Sequence, residues 1–524
     1  MTSKGWAGWL LAGWAGVVVA AVPPTATPLV HRDVSAAFAK VPAPWREYLL
    51  RARAAEEIAD PLQRCLAFPD LPDSQWPAGF AQAHCRSHFN ALKVSTDEVR
   101  AYLDSGDLVG LRARLDAMQA RHSAHGVEQA EDIHYFFDDL QADEATDALT
   151  TSWLALAPDD AYATLARATY LKDAAWKARG GKFAAQVPAE AWQQVAAYTK
   201  EAIPLYHRAA ELDPALIPAY EGAMNLAMVA SEDSVQGWAL HEATARDPGC
   251  PMMAKVTMNA LKPRWGGSYP LMEAYQGRLA EYVVERPLVA LYLTASLGDE
   301  GDRRLADKLY DARTVEVLES AIRTGGGEGE FRLAASAVLL SDGEPWKGYA
   351  YVLQAERFQP GDTWTAQQLA EVLEPRDPAW ARLVISRAVA TKPDEAVSQF
   401  LLGRALASTG ERAEAQRAYE RTLGDAKLKP RALQEIAEMW LYPRDPKDKA
   451  EPKRADPFVR QLLQAKPQSG AAWIMRLDVQ LQQRQSIPED IVNNVVKYAD
   501  RKDPWQADRA QRLEKMIKEA GIKR

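Results

Sequence analysis

Residues Tyr206–Pro248 read YHRAAELDPALIPAYEGAMNLAMVASEDSVQGWALHEATARDP, and this stretch contains two copies of one helical pattern. One copy ends at Asp213-Pro214 and the next at Asp247-Pro248, with 248 − 214 = 34 residues between the two prolines. Proline lacks an amide donor and clashes with the preceding turn, so each Asp-Pro pair predicts the end of a helix. A fixed period of this length predicts helix pairs stacked in series.

A later stretch repeats the pattern more regularly. Pro393 is followed by DEAVSQFLLGRALASTGERAEAQRAYERTL, with Gly403 on the inner face of a first helix and Tyr419 on that of a second. This arrangement resembles the tetratricopeptide repeat (TPR), although Thr422 stands where that repeat usually has alanine. Each hairpin covers its apolar side only by stacking on a neighbour. We therefore predict an all-α, TPR-like helical-hairpin solenoid with degenerate repeats and an irregular N-terminal helical segment.

Composition narrows the class of function. The chain has 524 residues and a formal net charge of −8, and no basic stripe runs along it. This balance argues against a nucleic-acid binder. Sixteen tryptophans occur mostly at helical spacing beside alanine and leucine, which indicates packing rather than a sugar-binding platform.

The first 22 residues predict a targeting segment. Lys4 precedes the uncharged, largely apolar run Gly5–Val22, and Val19-Ala20-Ala21 resembles a cleavage site, which is the layout of a secretory signal. We expect an exported, periplasmic protein. The alternative is an inner-membrane anchor formed by residues 5–22, since 18 apolar residues are the lower limit for a spanning helix. Membrane contact is expected only through such an uncleaved segment.

Composition shifts divide the chain into four parts. Residues 1–22 form the signal or anchor, 23–92 a cysteine-bearing segment, 93–323 a first helical domain and 328–524 a second array. The boundary is placed at the glycine-rich run Thr324–Glu330, because consecutive glycines favour a flexible hinge. In an exported protein, Cys65 and Cys85 predict a disulfide around a loop rich in proline and glycine. The third cysteine, Cys250, is expected to be free and structural.

One region resembles a known bacterial family. Gly106-Asp107-Leu108, the motif AWKARG at 175–180 and the helix that ends at Asp213-Pro214 are similar to motifs of domain of unknown function 4034, over Asp104–Asp233. That family brings no established activity with it. The resemblance implies a helical fold and no catalytic residues.

Binding residues are predicted on the first helices, which line the concave side of such arrays. Asn225 and Asn259 occupy the same place in consecutive repeats, and an amide can both donate to and accept from a peptide backbone. Lys255 adds a cation one turn before Asn259, and Glu221 stands where a lysine would complete a carboxylate clamp. Arg404 of the later repeat completes the predicted partner-binding set.

No motif for catalysis or for a cofactor is present. The sequence lacks Gly-x-Ser-x-Gly, His-Glu-x-x-His, phosphate-loop and dinucleotide patterns. His84 and His88 are four residues apart but lack the spacing of a four-ligand site. His122, His125 and His134 are interpreted as histidines favoured by helix dipoles. We therefore predict no catalytic residue, no metal and no cofactor.

The function predicted from these observations is that of a non-catalytic cell-envelope adaptor. Its concave groove would bind a partner protein or an extended peptide. The alternative is a metal-dependent or hydrolytic envelope enzyme with helical decoration.

Overall fold

The computed structural model describes residues 38–341, 343–444 and 447–519. Within these ranges the regular secondary structure is helical, with 26 α-helices and no strand. The predicted all-α solenoid is confirmed. The predicted signal or anchor, residues 1–22, lies outside the described residues. Among the described helices, none combines the length and the apolar character that crossing a bilayer requires.

The chain divides into two compact units. The described part of the first unit is Asp73–Glu330, and that of the second is residues 38–72 together with Phe331 onward. This division falls at the end of the glycine-rich run that the sequence marks as a boundary. It also splits the cysteine-bearing segment, because residues 38–72 group with the C-terminal array.

The first unit contains helices α3 to α15. Their bounds are α3 Phe80–Phe89, α4 Thr96–Ser105, α5 Leu108–His122, α6 Asp132–Asp138, α7 Glu144–Leu156, α8 Ala161–Arg179, α9 Ala189–Leu212, α10 Ile217–Ala230, α11 Asp233–Arg246, α12 Pro251–Ala260, α13 Tyr269–Leu279, α14 Ala295–Ala306 and α15 Ala312–Arg323. The next helix, α16 (Glu328–Leu340), begins in this unit and continues into the second.

The second unit contains two N-terminal helices and a long array. Their bounds are α1 Ala43–Ala55, α2 Pro61–Ala67, α17 Pro345–Phe358, α18 Thr363–Leu373, α19 Pro378–Thr391, α20 Ala396–Thr409, α21 Arg412–Glu420, α22 Lys429–Leu441, α23 Pro452–Ala465, α24 Gly470–Gln482, α25 Glu489–Tyr498 and α26 Pro504–Glu519.

Helices in both units pack as stacked pairs. In the first unit α8 packs on α9 and α10 on α11, and the first helices α8, α10 and α12 also contact one another in order. In the second unit α18, α20, α22 and α24 form a similar succession of neighbours, each also packed on the helix that follows it. Each unit thus has a layer of adjacent first helices.

Glycine residues let neighbouring helices pack closely, both between pairs (α9 and α10) and within a pair (α20 and α21). A Cβ atom on Gly222 of α10 would lie 2.6 Å from a ring carbon of Tyr206 on α9, and one on Gly403 of α20 would lie 2.7 Å from the ring of Tyr419 on α21. Both tyrosine side chains are fully buried. In both contacts the glycine makes room for the ring, since only glycine lets it approach so closely.

We expect Gly403→Ala to lower the free energy of unfolding of the second unit by about 1–3 kcal/mol, because the added methyl group displaces the buried Tyr419 ring. Urea unfolding of the purified chain measures the loss. Gly424→Ala is the matched control, since a Cβ atom at Gly424 meets no atom within 4 Å. Equal stability of the two variants would show that the close contact between Gly403 and the Tyr419 ring does not stabilise the unit.

Helix ends follow the sequence signals. Ser95 and Glu98 form the reciprocal capping box at the start of α4. Helix α9 ends at Leu212 and α11 at Arg246, immediately before the two Asp-Pro pairs. The proline period therefore marks real helix ends.

The segment between the two cysteines is more helical than the sequence suggests. Asp60 caps α2 through the Gln63 amide, and Gly79, with φ of 81°, precedes α3. Cys65 lies in α2 and Cys85 in α3, and both are buried. The predicted disulfide between Cys65 and Cys85 stays a prediction.

Candidate functional site

Four of the five predicted binding residues lie on neighbouring helices of the first unit. Glu221 and Asn225 are on α10, and Lys255 and Asn259 are on α12. Lys172 of α8 joins them, because α8, α10 and α12 are adjacent. We call these five residues the polar face.

Asn225 presents an oriented amide group. Trp176 Nε1 donates to Asn225 Oδ1 at 2.5 Å, which fixes which side of the amide faces outward. Among the described residues nothing accepts a hydrogen bond from Asn225 Nδ2, and the side chain is partly exposed. The polar face therefore offers one donor whose direction is set before any ligand binds.

Lys255 is the accessible cation of the polar face. Its side chain is 50% exposed, and Nζ lies 4.0 Å from Asp138 Oδ2. An exposed pair at that distance contributes little to stability. The ammonium group is therefore available to an anionic partner.

Asn259 differs from Asn225 although the repeat aligns them. Its Nδ2 lies 3.6 Å from Met228 Sδ, and its Oδ1 accepts from Arg264 at 3.1 Å. Both ends of the amide are engaged within the chain.

Glu221 points into the protein rather than along the groove. It is only 7% exposed, and its Oε2 accepts from His134 Nδ1 at 2.5 Å. Burial alone would raise the pKa of Glu221, but the charge and hydrogen bond of His134, with Lys255 and Lys172 nearby, hold that pKa below its ordinary value. Glu221 is a carboxylate that orients a histidine.

Arg404 lies on α20 in the second unit. Its guanidinium donates to Glu374 Oε2 at 2.6 Å, and Ser408 donates to the other oxygen of that carboxylate at 2.5 Å. Glu374 is buried. Arg404 thus serves first to neutralise a buried charge.

A small pocket opens beside the polar face. It is lined by His134, Phe137, Asp138, Thr169, Lys172, Pro218, Glu221, Gly222 and Asn225, and its volume is about 10 Å³. That is the room one water molecule needs, so this pocket does not hold a metabolite-sized substrate.

Beneath the pocket, four side chains with metal-ligating atoms converge. His122, Glu131, His134 and Cys250 each place one such atom within 4.8 Å of the others, and all four are buried. The sequence predicts structural roles for the two histidines, and no predicted site includes Glu131 or Cys250. His125 is exposed and lies outside this cluster.

One signal in the sequence could have pointed there. Glu131 and His134 form a Glu-x-x-His pair, which on a helix places both side chains on one face. Cys250 could not have been added, since its proximity depends on the tertiary fold. His84 is held elsewhere, with Nε2 at 3.2 Å from Glu328.

Charged groups surround the cluster. His122 Nε2 lies 3.2 Å from Asp247 Oδ2, and Arg286 donates to the same oxygen at 3.1 Å. Burial alone would lower the pKa of His122, but the nearby carboxylates of Asp247 and Glu131 raise it to about 9. Arg286 also donates to the carbonyl oxygens of His122 and Ala124, at 2.7 and 2.8 Å.

The chain matches no protein-family model and no curated protein. The resemblance to domain of unknown function 4034 therefore stays a prediction. Among solved structures, the TPR domain of P58(IPK) is 12% identical, with a TM-score of 0.22, and the match covers 64% of this chain and 98% of that one. Yeast Tom70 is also 12% identical, with a TM-score of 0.28, and the match covers 82% of this chain and 96% of that one.

Proposed function

We propose that this protein is a non-catalytic adaptor of the cell envelope, which binds an extended segment of a partner protein along the polar face. The observation that carries the proposal is the fixed amide donor of Asn225 beside the half-exposed ammonium group of Lys255 on the next first helix. Placement in the envelope rests on the targeting pattern in residues 1–22.

The two groups suit one chemical class of ligand. Asn225 Nδ2 matches a backbone carbonyl oxygen, and Lys255 matches a carboxylate. Adjacent packed helices lie about 8–10 Å apart, and an extended chain rises about 3.3 Å per residue. We therefore expect an acidic side chain, or a terminal carboxylate, about three residues from the carbonyl that Asn225 binds.

The binding test uses Asn225→Asp combined with Lys255→Met. The aspartate keeps an oxygen for Trp176 but removes the amide donor, and methionine keeps the packing of the lysine stem while removing its charge. We expect at least about tenfold weaker binding, since 1.4 kcal/mol corresponds to a factor of ten.

The probe is a panel of extended acidic peptides immobilised on an array, followed by fluorescence anisotropy with those that bind. Lys200→Met, an exposed lysine on the second helix α9, is the matched control and should bind as the wild type does. If the double variant binds the selected peptides as tightly as Lys200→Met, the polar face is not the binding surface.

A further inference from the structure

We propose that His122, Glu131, His134 and Cys250 bind one Zn²⁺ ion in a closed, tetrahedral site that stabilises the first unit. The cluster is separate from the exposed groups of the polar face, and the proposal does not depend on the proposed function. It assigns a structural metal to a chain whose sequence shows no metal motif.

The spacing of the donor atoms fits the ion. His122 Nδ1 lies 3.6 Å from Glu131 Oε2, and His134 Nε2 lies 3.7 Å from the same oxygen. Nitrogen and oxygen ligands bound tetrahedrally to zinc at 2.0–2.2 Å are separated by roughly 3.4 Å. All four ligand atoms, including Cys250 Sγ, fall within 4.8 Å of one another, so small side-chain movements bring them onto one ion.

The ligand atoms are buried, and they face one another at distances longer than a hydrogen bond. His122 Nδ1, His134 Nε2 and Glu131 Oε2 make no hydrogen bond within the described part of the chain. The residues that carry them are 1%, 1% and 2% exposed. Burying an unsatisfied polar atom costs about 1–3 kcal/mol, and a cation bound between these three atoms would remove that cost.

The outer atoms of these side chains are already held in the way that metal ligands require. His134 Nδ1 donates to Glu221, and His122 Nε2 faces Asp247, so each ring can carry its proton on the outer nitrogen and keep the inner one free. Glu131 Oε1 accepts from Gln129, which leaves Oε2 as a single ligand atom.

Cys250 completes the set from a distant part of the sequence. It is the N-cap residue of α12, and the Met253 amide donates to its Sγ at 3.4 Å. Burial and the charges of Glu131 and Asp247 raise the pKa of the Cys250 thiol, so a bound metal ion would have to displace its proton. Cys250 is also free of any disulfide.

The charge and the types of the four ligands favour Zn²⁺, and their number favours a structural role. Two neutral imidazoles, one carboxylate and one thiolate carry a charge of about −2, which a divalent cation neutralises, and such a mixed set suits Zn²⁺. Four protein ligands leave no open position for a substrate. The ion would join the end of α5, the start of α6 and the start of α12, across 250 − 122 = 128 residues.

The experiment measures zinc in the full-length protein purified without chelators. We expect one equivalent per chain by mass spectrometry of the metal, and at least about tenfold less zinc retained by Cys250→Ser against a competing chelator. His125→Ala is the matched control, since this exposed histidine lies close in sequence but outside the cluster, and it should retain the full equivalent.

A spectroscopic readout on wild-type protein covers the case in which Cys250→Ser does not fold. Replacing zinc by Co²⁺ should give intense visible absorption typical of tetrahedral coordination, with a thiolate-to-cobalt band in the near ultraviolet. Asp247→Asn should weaken the affinity about 10–100-fold while leaving one ion per chain.

Less than a tenth of an equivalent of zinc after incubation with excess ion, with an unfolding midpoint indifferent to chelator, would overturn the proposal. The cluster would then be a buried network of protonated histidines and carboxylates. Cobalt spectra of octahedral type, with no thiolate band, would also overturn it.

Discussion

Replacing Trp380 with alanine is expected to lower the free energy of unfolding of the second unit by about 3–5 kcal/mol. Trp380 is fully buried on α19, and Phe38 meets its ring edge-on with centroids 6.3 Å apart. A cavity of that size between stacked helices cannot close without moving both neighbours.

Trp380→Phe should lower the free energy of unfolding much less, by about 1 kcal/mol. The Nε1 atom of Trp380 is buried and finds no acceptor among the described residues, so phenylalanine removes an unsatisfied donor along with part of the ring. The pair of substitutions therefore separates loss of packing volume from loss of the indole nitrogen.

Hydrogen exchange of peptides from α17 to α20, followed by mass spectrometry, measures the opening free energy of this unit directly. Trp364→Ala, whose indole on α18 is 39% exposed, is the control and should change that energy by less than about 1 kcal/mol. A loss in Trp380→Ala no larger than in Trp364→Ala would show that Trp380 does not hold the helix pairs together.

The fold was predictable because its signals are local and repeated. Prolines such as Pro214, Pro248 and Pro393 follow the second helix of several pairs, and residues such as Gly403 and Tyr419 are visible without any structure. The helices around Cys65 and Cys85 were not predicted. They depend on an aspartate cap and one glycine of positive φ rather than on apolar periodicity.

The site was less predictable, since equal positions in a repeat do not imply equal surroundings. Asn225 and Asn259 align in the repeat, yet their partners differ. Trp176 orients the amide of Asn225, whereas the amide of Asn259 contacts Met228 and Arg264. Trp176 and Arg264 lie outside the repeated stretch Tyr206–Pro248, so the repeat does not predict their contacts. The buried cluster of His122, Glu131, His134 and Cys250 is even harder to predict from the sequence, because Cys250 joins it only when α12 stacks on α10.

A change of pH is expected to have a second large effect, on the free energy of unfolding of the second unit. The effect arises at a buried pair of carboxylates. Arg387 donates to Glu356 and to Glu56, each at 2.8 Å, and both carboxylates are almost fully buried. Burial, opposed by Arg387 and reinforced by the charge of Glu56, raises the pKa of Glu356 to about 7. One guanidinium cannot fully compensate two buried anions.

The sign of the pH effect on stability follows from the direction in which the pKa of Glu356 is shifted. A carboxyl group whose pKa is higher in the folded than in the unfolded state contributes stability below its unfolded pKa, and that stability is lost as pH rises through the folded pKa. The shift from 4.5 to about 7 corresponds to about 3 kcal/mol lost by the wild type between pH 4 and pH 8.

Glu356→Gln isolates this group, because glutamine keeps an acceptor for Arg387 and for the Gly361 amide but does not ionise. We expect the stability of the variant relative to the wild type to rise by about 3 kcal/mol as pH increases from 4 to 8. Urea unfolding at five pH values measures this difference. The exposed Glu371→Gln on α18 gives the baseline for removing a surface carboxylate. If both variants follow the same pH course, Glu356 is ionised in the folded protein with no penalty, and Arg387 compensates both carboxylates on its own.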